Sequence, residues 1–270
     1  MANVYHLDIN KKIIRGALVA LLPGDPGRVE TIANQVSKTF GGRSVKLASK
    51  REFTTFLSIA PGKSVLVTST GIGGPSTSIA VDELARLGVT TFIRVGTAGA
   101  IQDYVKNGDC VITTGSVRLD GASTHYAPVE YPAVADHGVV SALISGAKKA
   151  GVAFHTGVTA SSDTFYPGEE RTDSFRKYVL RRFKGATAEL KALHVLNYEM
   201  ESSTLLTMTA SMGLKGGCVT GVVNRGSVGG ITKEALKKGE ENAIKTAVGA
   251  LEHIVSERYL KAAFNRRPRA

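Results

Sequence analysis

Tryptophan is absent from the 270 residues, and cysteine occurs only as Cys110 and Cys218. Each cysteine sits in an apolar, strand-like run, so there is neither a disulfide framework nor a cysteine-based metal spacing. They read as buried, reduced thiols that fit a cytoplasmic setting. Long hydrophobic runs are also missing: nothing approaches the roughly 18 residues that suggest a membrane span. The opening MANVYHLDINKK has no signal-peptide core. Acidic residues are scarce, 23 against 34 lysines and arginines, for a net charge of +11. Such an excess raises the question of nucleic acid. Yet the charge is scattered over Lys148-Lys149, Arg181-Arg182, Lys237-Lys238 and the terminal Asn265-Arg-Arg-Pro-Arg-Ala270, without aromatic–basic interleaving. Solvated faces and small anionic substrates explain it better, and neither nucleic acid nor membrane is expected as a partner.

Repeats, low-complexity linkers and breaks in composition are likewise absent. The expected organisation is one domain over residues 1–260 with a basic tail, 261–270. Apolar runs alternate with helical patterns along the chain, which predicts an α/β fold with a mixed central sheet. Ala17–Leu22 suits a strand covered on both faces. Pro23-Gly-Asp-Pro-Gly-Arg28 follows, with Asp25 as the expected cap and Arg28 in the first turn of a helix. A cation there opposes the helix dipole, which makes a purely structural Arg28 less attractive. The loop Gly71-Ile-Gly-Gly-Pro-Ser76 superficially suggests a dinucleotide fingerprint, but Pro75 breaks the spacing and no acidic residue follows at the right distance. Polar clusters follow apolar strands at Gly24, Gly96, Ser161, Glu199 and Asn224, and one pocket gathering these five is expected.

The chemistry concentrates in Thr91-Phe-Ile-Arg-Val-Gly-Thr-Ala-Gly-Ala100. Phe92, Ile93 and Val95 predict a buried strand, and the small residues after them predict a tight turn able to form an anion-binding nest. Arg94 interrupts the apolar run. A buried arginine needs either a carboxylate or an anionic ligand, and both readings stay open from these residues alone. Glu199 and Glu201 lead into an apolar helix, where a helix N-terminus favours one acid but does not explain two.

Several longer stretches carry a resemblance. Gly24-Asp-Pro, Leu47-Ala-Ser-Lys-Arg-Glu-Phe-Thr-Thr55, Ser69–Ala80, Ser116–Ser123, Gly157–Gly168 and Asn197-Tyr-Glu-Met-Glu-Ser202 resemble the bacterial uridine phosphorylase branch of the nucleoside phosphorylase family. The resemblance runs from about His6 to the last helix. It implies a single α/β domain around a mixed, barrel-like sheet, assembled as a dimer-built hexamer. The implied reaction is reversible phosphorolysis, with phosphate displacing a pyrimidine from ribose to give ribose 1-phosphate.

Matched motif by motif, Gly24, Arg28, Arg94 and Thr97 are implied phosphate ligands, with Arg51 supplied by a neighbouring subunit. Glu201, with Glu199 beside it, is implied for the ribose hydroxyls, Met200 for the sugar face and a neighbour's His6 for the 5′-hydroxyl. Phe165, Glu169 and Arg171 are implied at the base, and Arg171 as the group that stabilises its departure as an anion. Glu52, Ile72 and Ser76 match a monovalent-cation site between subunits, and no other cofactor is implied. Physically, three arginines can neutralise and orient a phosphate dianion. A carboxylate at Glu201 favours positive charge developing on the sugar.

Two departures stand out. Ala98 replaces a usual threonine, and Glu169 replaces the glutamine that reads the base. An ionised glutamate only accepts hydrogen bonds, so weak uridine activity is expected, improved by Glu169→Gln. The alternatives are a related phosphorylase with altered base preference, purines included, or a nucleoside-binding paralogue of low activity. The full arginine set argues against the last of these.

Overall fold

The structure, a computed structural model, describes residues 2–225 and 230–255. The basic segment 261–270 and the end of the expected carboxy-terminal helix lie outside the described residues. In chain order the first half comprises β1 (Val19–Leu22), α1 (Val29–Thr39), β2 (Arg43–Lys50), β3 (Phe53–Ala60), β4 (Lys63–Thr68), α2 (Gly74–Leu87) and β5 (Thr91–Ala100). It continues with β6 (Cys110–Leu119), β7 (Ala133–Val134), α3 (His137–Lys149), β8 (Phe154–Ser162) and α4 (Ala186–Ala192). Last come β9 (Asn197–Glu199), α5 (Ser202–Ser211), β10 (Lys215–Asn224) and α6 (Lys233–Ile254).

One mixed sheet organises the chain. β10 pairs with both β5 and β6, so the path β10-β6-β8-β9-β5 closes on itself as a barrel, and β1, β4, β3 and β2 extend from β5 as a wing. Successive side chains of a strand point to opposite faces, and β1 feeds two cores in this way. Val19 and Leu21 face α1, α3 and α6, whereas Ala20 and Leu22 face α2, α5 and the amino-terminal segment. Helices therefore cover both faces of β1, as its continuous apolar run requires, whereas the edge strand β2 is polar and largely exposed. The barrel side is held tightly at one place: a Cβ on Gly221 of β10 would lie 1.9 Å from the Gly239 carbonyl oxygen of α6. Only glycine permits that approach.

Local rules account for most boundaries. Asp136 caps α3, accepting from Val139 N at 3.1 Å, and Thr232 caps α6, accepting from Ala235 N at 3.1 Å. Gly88 ends α2 in the left-handed conformation, φ 109°. Asp25 caps only a short 3₁₀ turn, Pro26–Arg28, and the α-helix begins at Val29.

The expected turn after Val95 is corrected. β5 runs unbroken to Ala100, paired in register with β10 from Lys215↔Thr91 to Val222↔Ala98. Its small residues make room instead of making a nest: a Cβ on Gly96 would lie 2.7 Å from both Cζ and Nη2 of Arg94.

Candidate active site

Strand direction brings the five polar clusters together. β1, β5 and β10 run parallel, while β8 and β9 run against them. The carboxyl end of β9 therefore returns along β5 and delivers Glu199 and Glu201 to Arg94, midway along that strand. A cavity of about 400 Å³ forms there. Gly24 and Arg28 line it from beyond β1, Arg94, Thr97 and Ala98 from β5, and Phe165 and Glu169 from beyond β8. Tyr198, Glu199, Met200 and Glu201 line it from β9 onward, and Val223 and Asn224 from the end of β10.

Arg94 is buried, 6% exposed. Its Nε donates to Glu199 Oε2 at 2.7 Å, and its Nη2 pairs with Glu201 Oε2. Burial opposes the charge, but Glu201 and Glu199 outweigh it and raise the pKa. The carboxylates differ in how much they have left to offer. Glu199 also accepts from the backbone N–H of Glu201 (2.9 Å) and Ser202 (3.0 Å) and from the Ser202 hydroxyl (2.5 Å), which makes it the anchor of the α5 N-terminus. Glu201 accepts one further bond, from Gly73 N at 2.5 Å. A carboxylate offers about four lone-pair sites, so Glu201 retains capacity toward the cavity. Burial raises its pKa, Arg94 offsets part of this, and Glu199 adds to it.

Arg28 approaches from the opposite wall. A Cβ on Gly24 would stand 3.9 Å from both Arg28 Nη2 and Arg94 Nη1, so the two guanidinium groups converge on that glycine. Arg28 Nε is buried without a hydrogen-bond partner. The carboxylates near it are Glu240 of α6 at 3.6 Å and Asp25 at 3.9 Å, both beyond hydrogen-bond distance. Burial lowers the Arg28 pKa and Glu240 raises it in part. Two guanidinium groups that converge in this way have the chemistry to take an anion between them.

A model of the phosphorylase superfamily matches residues 18–256. The chain belongs to that superfamily. It is 54% identical to the uridine phosphorylase of Salmonella typhimurium strain LT2, over 94% of this chain and 99% of the relative. It is 48% identical to that of Haemophilus influenzae, over 95% and 100%. The guanosine phosphorylase of Halorubrum lacusprofundi is 33% identical over 86% and 92%. The barrel-centred α/β fold is the one the resemblance implies.

Within this superfamily member, Gly24, Arg28, Arg94, Thr97, Phe165, Glu169, Glu199, Met200 and Glu201 share one cavity. Arg171 sits just behind, its guanidinium 4.5 Å over the Phe165 ring and its Nε and Nη2 on Asp173 at 3.0 and 2.6 Å. His6 and Arg51 do not line their own chain's cavity. His6 is held by Glu83 of α2, Nδ1 to Oε1 at 2.8 Å, and Arg51 is exposed at the β2–β3 turn with φ 54°. Ile72 lines the cavity mouth and is 78% exposed, and the Ser76 hydroxyl donates to its carbonyl at 3.2 Å.

Tyr198 was not among the expected site residues, whereas Asn224 lies in the pocket as expected. Tyr198 is 1% exposed and packs in a core cluster, so nothing local marks it as lining a cavity. Asn224 closes a strand whose end faces the cavity, and its buried Nδ2 lacks a partner.

Glu169 is the group whose state the sequence left unset. It is 4% exposed, and burial, countered by Arg171 and reinforced by Glu199 and Glu201, pushes its carboxyl up to about 8. The ionised form behind the expectation of weak uridine activity is thus disfavoured near neutral pH. Burial and Glu199 push the Cys218 thiol up to about 12, which keeps it protonated behind Arg94. No helix among the described residues is long and apolar enough to cross a membrane.

Proposed function

We infer that this chain catalyses the reversible phosphorolysis of uridine-like nucleosides to free base and ribose 1-phosphate. The observation that carries this is the convergence of Arg28 Nη2 and Arg94 Nη1 on Gly24 in a cavity of about 400 Å³ that Glu201, paired with Arg94, also lines. Phosphate binds between the arginines, with Thr97 and the Gly24 backbone beside it. Glu201 accepts the ribose 2′- and 3′-hydroxyls, and its charge stabilises positive charge as the glycosidic bond breaks. Glu199 acts through Arg94 and α5, holding the guanidinium in place. Met200 packs on the sugar, while Phe165, Glu169 and Arg171 form the base subsite.

The near relatives named as uridine phosphorylases support a pyrimidine base. Phosphate as co-substrate, not water, follows from the arginines, since hydrolysis has no use for paired anion ligands. The site is completed by a second subunit that supplies Arg51 to phosphate and His6 to the 5′-hydroxyl. The enzyme therefore works as a dimer, or as a hexamer built from dimers. Glu52, the Ile72 carbonyl and Ser76 are the donors for a monovalent cation. Buried thiols at Cys110 and Cys218 suit a cytoplasmic enzyme. A panel of nucleosides assayed with and without phosphate tests the central reading. Uridine is cleaved only with phosphate present, and equal base release without phosphate would sink it.

A further inference from the structure

We propose that Glu169 reads the base as a neutral carboxylic acid, its O–H donated to a ring carbonyl and its C=O accepting the adjacent ring N–H. Recognition of uracil is then lost when the group ionises. The identity of the base rests on the phosphorolysis reading, whereas the state of Glu169 rests on its surroundings. Glu169 ends a 3₁₀ turn, Pro167–Glu169, and lines the cavity beside Phe165 and Tyr198. No hydrogen bond reaches its carboxyl from any described residue. The charged groups facing it are Arg171 of its own loop, Glu199 of β9 and Glu201 at the start of α5. Arg171 also pairs with Asp173, and the two glutamates share Arg94. The Tyr198 phenol, hydrogen-bonded to Thr187 at 3.1 Å, completes that wall.

An ionised Glu169 would therefore be a desolvated charge beside two other carboxylates, an arrangement that protonation relieves. The shift to about 8 has that cause. A carboxylic acid presents one donor and one acceptor, as a carboxamide does, whereas a carboxylate presents acceptors only. Uracil shows a carbonyl next to an N–H, which matches the acid and not its anion.

The test compares wild type with Glu169→Gln, whose amide cannot ionise. For each protein the ratio of kcat/KM for uridine near pH 9 to that near pH 7 is measured at saturating phosphate. The uracil N–H itself ionises in alkaline solution, so the ratio is compared between the proteins. With a pKa near 8, the neutral form falls from about nine-tenths to about one-tenth across that interval, so the wild-type ratio is roughly tenfold below that of Glu169→Gln. Equal ratios overturn the proposal.

Thermal unfolding of both proteins without substrate gives a second readout. A carboxyl raised in the folded state stabilises fully below its unfolded pKa, and this contribution is lost as pH rises through the folded value. The Tm advantage of Glu169→Gln therefore grows from about pH 5 to about pH 8 and then levels off. A pH-independent Tm difference overturns protonation. If neither protein cleaves uridine, the phosphorolysis reading fails, while the thermal profile still decides whether Glu169 carries a proton.

Discussion

Gly96→Ala places a single methyl group against the arginine that organises the site. The new Cβ would stand 2.7 Å from Arg94 Cζ and Nη2 and 3.2 Å from Nε. Carbon contacts are optimal near about 3.5–4.0 Å, so the guanidinium has to retreat by roughly 1 Å. A free arginine would swing aside at little cost. Arg94 is pinned instead, by Glu199 Oε2 at 2.7 Å and by Glu201. Retreat stretches those bonds and carries Nη1 away from the point where it meets Arg28. Gly96 is not in the left-handed region, and alanine is tolerated in strands, so the backbone contributes no strain of its own. A misplacement of about 1 Å can cost on the order of a hundredfold in rate. Steady-state kinetics with phosphate varied are expected to show kcat/KM for phosphate reduced about a hundredfold, with a smaller change in Kd for nucleoside. Thermal unfolding shows whether the fold survives. Wild-type kcat/KM for phosphate in a folded Gly96→Ala protein would refute the argument, because the arginine would then not need the space that glycine leaves.

Arg94→Ala abolishes phosphate-dependent turnover, and it also strands two buried carboxylates, for a stability loss of about 3–5 kcal/mol. Burial already raises the Glu201 carboxyl and Arg94 is what offsets it, so without Arg94 the Tm deficit grows as pH rises above the ordinary carboxyl range toward neutral; a deficit constant with pH counts against the pairing. Glu201→Gln weakens charge-assisted bonds worth about 1.5–3 kcal/mol, so kcat/KM for uridine falls more than for 2′-deoxyuridine, and an equal fall removes Glu201 from the 2′-hydroxyl. Mixing inactive Arg51→Ala with inactive Glu201→Ala protomers restores some activity through sites whose parts come from different chains, and no recovery in verified mixed oligomers argues against a shared site.

Local chemistry made much of the fold legible. The run ending at Leu22, the capping residues Asp136 and Thr232, and Gly88 after α2 each act within a few residues, and their elements lie where those signals place them. Glycine misled at β5, because the same residue that favours turns also admits a bulky neighbour, and only the folded position of Arg94 decides which applies. α4 escaped notice because seven residues, under two turns, are too few to show a helical period. The candidate site was legible as motifs but not as geometry. Arg94 meets a carboxylate 105 residues away in sequence, and no spacing rule connects them. The two readings left open for Arg94, ion pair or anion ligand, turn out to be compatible, since Nε and Nη2 hold carboxylates while Nη1 points toward Gly24.

Charge balance at the site bears on the proposed contribution of a second subunit. Two guanidinium groups, Arg28 and Arg94, face Asp25, Glu199, Glu201 and Glu240 at salt-bridge distances. With these carboxylates ionised, the chain on its own has no surplus positive charge there to draw a phosphate dianion into a buried cavity, where unscreened repulsion is strongest. Some relief comes from protons, since burial raises the pKa of both Glu201 and Glu240. In the proposed reaction Glu201 holds the ribose and stabilises a developing cation, which needs it ionised, so protons on Glu201 cannot be the lasting answer. A further cation is the remaining one. Arg51 is an exposed arginine that does not line its own chain's cavity, held at φ 54° in a tight turn between two strands. That placement fits the proposed role of Arg51 at another subunit's phosphate.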